Sequence, residues 1–380
     1  MKSSVRAFDL LALVLALAVK VAVPPAPWIE ARYSNGLYPS IDRAVRALTG
    51  SVPFCVGDLL LFALLAAFAL WAVASLAASP GLPAVLKIAV RGLAAVCVVY
   101  VWFEVSWGFN YSRVPLADKI PVHRERTTPA AVAAYADHVA DELSRYAGLA
   151  HGERSGDSAT AAALLPTFTA TIRRLGDVAA FAPPRVKPTV FQPFMELSGT
   201  TGFTDPWTHE VNLDASALPF ERPALYAHEW GHVAGFADES EANFISVIAC
   251  TNASDPLVAY SGWLLIWFNL PSDVHLTHRL APLALADVRA IAARFRRHVN
   301  PQVARAQELA YDRYLRANRV KAGIVSYRLF VRWLTGADFD RSGLPVVVRR
   351  AGRQDARLRG APRSDRTART WFPRPGRGLI

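Results

Sequence analysis

At 380 residues, 52% of them hydrophobic and with a formal net charge of +11 at pH 7, the chain has room for more than one folded unit. The charge does not point to nucleic acid: from Arg341 onward eleven Arg stand against only Asp355 and Asp365, so most of the excess sits at the C-terminal end. Three scattered cysteines, Cys55, Cys97 and Cys250, exclude a disulfide framework and a Cys-x-x-Cys site, leaving His and carboxylate to hold any metal.

Long apolar runs crowd the first 110 residues. The run from about Leu10 to Val23 follows Lys2 and Arg6 and has no small-x-small cleavage site, so it is expected to remain as a membrane helix rather than leave as a signal peptide. Leu59 to Ala78 carries no charge and is a second span; Ala84 to Trp107 is a third, with Tyr100, Trp102, Trp107 and Tyr111 placed as an interfacial aromatic belt. Lys2, Arg6, Lys87 and Arg91 favour the cytoplasmic face, so three crossings put everything after Asn110 outside the inner membrane. The expected division is an anchor over 1–110, with spans at about 10–23, 59–78 and 84–107, an extracytoplasmic domain over 111–340, and a basic, disordered tail over 341–380.

Beyond the anchor, Thr128 to Gly148 reads as an amphipathic helix with Pro129 in its first turn, and Ser158 to Leu175 as another. Pro183 to Pro193 reads as extended chain with a strand at Thr189-Val190-Phe191, Leu197 to Asp205 as a Gly and Thr rich loop, and His209 to Leu213 as a short strand. A helix from about Pro223 to Gly235 is followed by a second that Asp238 caps. Leu257 to Leu270 is short for a span and reads as a core or membrane-surface helix; Ala284 to Arg297, Pro301 to Arg316 and Tyr327 to Leu334 are the last helical pieces.

The first of the paired helices carries His228-Glu229-Trp230-Gly231-His232, the pattern H-E-x-x-H. Residues four apart share a helix face, so both imidazoles can meet one ion while Glu229 stands beside its open side. A catalytic zinc needs a third protein ligand, and Asp238, Glu239 and Glu241 follow closely. H-E-x-x-H-x-x-G-x-x-D would end on Asp238. The alternative, E-x-x-A-N, begins on Glu239 and sets Asn243 one turn on, within reach of a ligand histidine. It is similar to the E-x-x-[AS]-D element of the glutamate-type zincins, with Asn for Asp. Glu239 is preferred, then Glu241, then Asp238. Glu229 is expected to act as general base on a zinc-activated water. A lone helical His usually belongs to the core; two at this spacing, with the Glu between them and acids behind, favour metal. His209, Glu210 and Tyr260 are read as structural in preference to substrate contacts, and His123, His138, His151, His275, His278 and His298 show no ligand spacing.

Three spans, then Trp107-Gly108-Phe109-Asn110-Tyr111, His228 through Phe236, Glu239-Ser240-Glu241-Ala242-Asn243-Phe244, Tyr260-Ser261-Gly262, Tyr314-Leu315 and Gly323-Ile324-Val325-Ser326-Tyr327 together resemble a bacterial family of uncharacterised multi-pass membrane proteins, a domain of unknown function. The resemblance covers about residues 10–336 and implies a zinc metallopeptidase without naming a substrate. The expectation is therefore a mainly α, zincin-like domain with a small sheet, anchored in a membrane. It would bind zinc through His228, His232 and Glu239 or Glu241, and cleave peptide or protein substrates at the lipid surface, with no nucleic-acid partner. The competing expectation is a non-catalytic envelope protein in which zinc only locks a binding or scaffold domain; four protein ligands would mark it.

Overall fold

The computed structural model describes residues 2–152, 156–271, 277–321, 323 and 330–348, with side chains from Ala7 onward. It is mainly helical with one small sheet. Three apolar helices lead: α1 (Lys2–Val21), α4 (Val56–Ala78) and α5 (Leu82–Ser106), with α2 (Ala26–Trp28), a π-helical stretch (Ile29–Leu37) and α3 (Tyr38–Thr49) between the first two. α4, with 23 residues, and α5, with 25, have the length and hydropathy to cross a membrane; at 1.5 Å per residue α4 is about 34 Å long, against a hydrocarbon core of about 30 Å. The first run, α1, is followed after a sharp bend of 104° by Ala26–Thr49. Pro24, Pro25 and Pro27 supply the break, since each lacks an N–H and two stand where the helix would otherwise continue. α1 lies along α5, joined by an ion pair between Asp9 and Arg91 at 3.2 Å.

The connection over Pro24 to Asp58 is thus helical, and it packs on the rest of the chain. Tyr38, Asp42 and Thr49 are buried on one face of α3 while Leu48 stays exposed. Glu30 takes the Arg113 guanidinium through two contacts at 2.9 Å and the Lys119 ammonium at 2.6 Å. Those cations hold its carboxyl below the usual range although burial acts the other way.

The core is formed by α6 (Pro129–Ala150), α7 (Asp157–Gly176), α9 (Arg222–Val233), α10 (Glu239–Thr251) and α11 (Pro256–Asn269). α6 begins as its sequence predicts, with Thr128 accepting from the N–H of Ala131 and Pro129 in the first turn. α10 is central: every residue from Glu239 to Cys250 is buried, against α7, α9, α11 and α14 (Phe330–Gly336). Trp230 of α9 fills the space between these helices with Phe168 and Phe181, ring centroids 5.4 and 5.8 Å away; burying a side chain of this size contributes about 3 kcal/mol. α11 is a core helix, with Tyr260, Leu264, Ile266 and Trp267 buried, so of its two expected placements the membrane-surface one does not hold. α12 (Pro282–His298) and α13 (Pro301–Ala317) follow as expected.

The sheet is a pair of three-residue antiparallel strands, β1 (Gly202–Thr204) and β2 (Val211–Leu213), with Phe203 opposite Asn212. β1 falls within the stretch expected as loop. The expected strand at Thr189-Val190-Phe191 is instead a turn into α8 (Gln192–Ser198). Its β-favouring residues are overruled because Asp58 accepts from the N–H of Val190 at 2.8 Å and the Thr189 hydroxyl at 3.1 Å, and Pro193 starts a helix. Residues 341–348, expected as the start of a disordered tail, are instead packed on the fold. The N–H of Val348 donates to Lys119 O at 2.9 Å and Leu344 and Val347 pack on the core, because three valines precede the dense run of Arg. Residues 349–380, and with them the rest of the basic tail, lie outside the described residues, as do His275, Ser326 and Tyr327.

Candidate metal centre

α9 and α10 cross closely because Gly231 has no side chain: a Cβ there would stand 3.3 Å from Ala242 Cα. α9 starts with Pro223 in its first turn and is stopped by Gly235, whose φ of +85° belongs to the left-handed region. Asp238 then caps α10, its Oδ1 accepting from Ser240 N at 2.8 Å and Glu241 N at 3.4 Å. The chain therefore reverses within five residues, which brings Glu239, the first residue of α10, back to the histidines. Gly235→Ala is expected to cost about 1–2 kcal/mol through the left-handed backbone alone; the new Cβ would also press on Asn110 Oδ1 at 3.1 Å and the Tyr38 ring at 3.2 Å. A lowered thermal midpoint of the detergent-solubilised protein is the readout.

His228 Nε2 and His232 Nε2 lie 3.2 Å apart, and Glu239 Oε2 lies 3.2 Å from the first and 3.4 Å from the second. These three form a group able to hold a metal ion. His228 Nδ1 faces Asn243 Oδ1 at 2.8 Å, the contact that the E-x-x-A-N spacing predicts, and His232 Nδ1 faces the Phe236 carbonyl at 2.8 Å. Both partners are acceptors, so the ring protons of neutral imidazoles sit on Nδ1 and both Nε2 atoms present lone pairs. Glu239 Oε2 is buried and accepts no well-aligned hydrogen bond among the described residues. Three electron pairs thus converge on one point, and they need positive charge between them. Burial opposes a charged His232, yet the Glu239 carboxylate raises its pKa to about 9; for Glu239 burial acts upward, and the two imidazoles hold it well below the carboxylate range.

The other two carboxylates point elsewhere. Glu241 Oε1 accepts from Leu116 N at 2.7 Å, and burial together with repulsion from Asp238 pushes its pKa up to about 7. Asp238 is spent on the cap. Glu229 is buried at 4% exposure; its Oε2 accepts from the Thr204 hydroxyl at 2.7 Å, while a Cβ at Gly202 would come within 2.6 Å of Oε1. Burial raises the Glu229 pKa, with His228 and His232 acting in the opposite sense.

The profile of a family described as "Protein of unknown function (DUF3810)" matches residues 33–335, which take in all of these groups. The chain belongs to the DUF3810 family. No curated protein and no solved structure matches it.

The DUF3810 chain also brings up residues that sequence reading missed. Tyr311 of α13 donates to Glu239 Oε1, fixing the carboxylate so that Oε2 faces the histidines. Trp107, expected above in the interfacial aromatic belt, donates from its indole to the His232 carbonyl at 3.1 Å, and Tyr38 donates to Val233 O at 2.7 Å. The one local signal for Tyr311 is its spacing from Tyr314 on an amphipathic helix, which cannot say what the face meets. His209, Glu210 and Tyr260 take structural roles in the DUF3810 fold, pairing with Asp42, Lys187 and Asp287 respectively. His123, His151 and His298 pair with Asp338, Asp287 and Glu196.

Proposed function

We propose that this DUF3810 protein is a membrane-anchored zinc metallopeptidase with a zincin-like domain, its ligands His228, His232 and Glu239 and its general base Glu229. The observation that carries the reading is the convergence of Nε2, Nε2 and Oε2, with separations of 3.2, 3.2 and 3.4 Å. A tetrahedral ion with bonds of about 2.0–2.1 Å has ligand-to-ligand edges of about 3.3–3.4 Å. His and carboxylate are also the donor set that suits zinc where cysteine is absent.

When bound, zinc supplies Lewis acidity, acidifying water and polarising a carbonyl. The chain's own residues do the rest. Asn243 and Phe236 O orient the two rings, Tyr311 holds Glu239, and Thr204 fixes Oε2 of Glu229 so that its carboxylate can accept a proton and return it to a leaving amine. Three ligands leave a fourth position for water and substrate, which favours catalysis over a zinc that only locks a scaffold. Lys2 and Arg6 at the start of α1 and Lys87 and Arg91 in the first half of α5 support an inner-membrane protein whose catalytic part is extracytoplasmic.

The test is the zinc content and peptide cleavage of the full-length protein purified without chelator. One equivalent per chain and metal-dependent cleavage are expected; a folded protein that takes up no zinc would sink the proposal. Asn243→Ala is expected to weaken zinc about 10–100-fold by freeing the His228 ring, measured by competition with a chromogenic chelator.

A further inference from the structure

We propose that the turn and helix Val190 to Leu197, together with Trp207, lie in the interface of the bilayer that α4 and α5 cross, with phospholipid as their partner. The proposal rests on reading those two helices as spans. They are joined by a short turn at Ser79 to Gly81, so the N-terminus of α4 and the C-terminus of α5 lie on the same side. The end of α4 holds both pieces of the chain, the Val190 turn and the β1–β2 connection, and the end of α5 holds the second of them.

At α4, the Phe191 ring stacks on Phe62 at 6.2 Å and 16°, one helical turn inside the uncharged stretch that begins at Leu59. Asp58 in the first turn takes Val190 N and the Thr189 hydroxyl, and the N–H groups of Val56 and Gly57 donate to Glu210 at 3.0 and 2.9 Å. At α5, Trp102 donates to Trp207 O at 3.1 Å, Trp207 donates back to Val99 O at 3.3 Å, and the Ser106 hydroxyl donates to Pro206 O at 3.0 Å. Trp207 stands at the tip of the β1–β2 connection, so the hairpin is seated on both helix ends at once. A residue in contact with Val99, seven positions before the end of α5, is at the depth where the apolar span meets headgroups.

The exposed side chains there are those of a lipid-facing surface. Val190, Phe194 and Leu197 recur at intervals of four and three and are 61%, 47% and 43% exposed; Trp207 is 41% exposed. The polar residues of α8 turn away from this face: Glu196 accepts from Gln192 at 2.9 Å and faces His298 at 3.1 Å, and Met195 is buried. Leu48 and Phe54, in the chain leading into α4, are exposed as well. Exposed apolar side chains that adjoin two spans are continuous with the lipid those spans meet, whereas the exposed Leu283 and Leu309 stand on α12 and α13. α8 runs through Gly199 to Thr201 into β1, whose Gly202 and Thr204 touch Glu229, so the proposed active site borders the membrane surface and suits polypeptide lying on or emerging from it.

The full-length protein in phosphatidylcholine and phosphatidylglycerol vesicles, carrying a phospholipid with a diazirine high in its acyl chain, would be irradiated and its labelled peptides mapped by mass spectrometry. Label is expected on α4 and α5 and, several-fold above the peptides of Leu283 and Leu309, on residues 190–197 and Trp207. The double variant Phe194→Glu, Leu197→Glu should lose label at 190–197 and keep it on α4. Label on α4 and α5 with residues 190–197 at the level of Leu309 would overturn the interface while leaving the spans intact, and crosslinks from 190–197 to a second chain in place of lipid would overturn it equally. An unlabelled α4 would overturn the spanning reading and this inference with it.

Discussion

Glu239→Ala is expected to yield a folded protein that has lost its zinc, with affinity lower by more than about 100-fold, the upper end of what an orienting neighbour alone is worth. The carboxylate lies 3.2 and 3.4 Å from the two imidazole Nε2 atoms and is fixed by Tyr311, so its removal opens one of three coordination positions. The comparison that gives this result meaning is Glu241→Ala. Glu241 satisfies the N–H of Leu116 inside the fold, so its loss is expected to cost about 1–3 kcal/mol of stability by orphaning a buried donor while zinc is kept. Elemental analysis and thermal unfolding of the two proteins, side by side, separate ligand from structural carboxylate. Retention of zinc by Glu239→Ala, with loss in Glu241→Ala, would reverse the assignment.

Glu229→Gln is expected to retain zinc and to lower turnover about 100- to 10,000-fold, the usual worth of a positioned general base. The substitution keeps the shape and the contact with the Thr204 hydroxyl but leaves no carboxylate to accept a proton. Burial raises the pKa of Glu229, the direction that suits a group that takes a proton and then gives it back. Cleavage by Glu229→Gln equal to wild type, with zinc present in both, would remove Glu229 from the role of general base. His228→Ala, which removes a ligand, is the control that must fail.

Much of the centre was legible because its elements are local. The H-E-x-x-H spacing lies on one helix, Pro223 and Gly235 delimit that helix, and Asp238 caps the next, so the sequence alone could narrow the third ligand to three acids within four positions. Asp238 is taken by its local cap, but choosing between Glu239 and Glu241 needed tertiary geometry, since Glu241 finds its partner only once α10 is folded against Leu116. Tyr311, which orients Glu239, comes from 72 residues away, and Thr204, which orients Glu229, from a strand of three residues that is too short for period-2 alternation to show. The strand expected at Thr189 failed for the opposite reason: β propensity was clear there, but a carboxylate at the start of α4 had already taken the backbone donor.

The packing of Tyr38, Ser34 and Glu30 has a consequence for how such a protein can be handled and released. Tyr38 presses on Gly235 and bonds the last turn of α9, Ser34 donates to Asn110, and Glu30 neutralises an Arg113 that also stacks 4.1 Å from the Phe236 ring and bonds the Gly235 carbonyl. A soluble fragment cut after α5 would therefore leave behind the wall against which the histidine helix is held, with Arg113 buried and its carboxylate gone. Shedding from the membrane by a single cut at that junction would silence the centre rather than set it free.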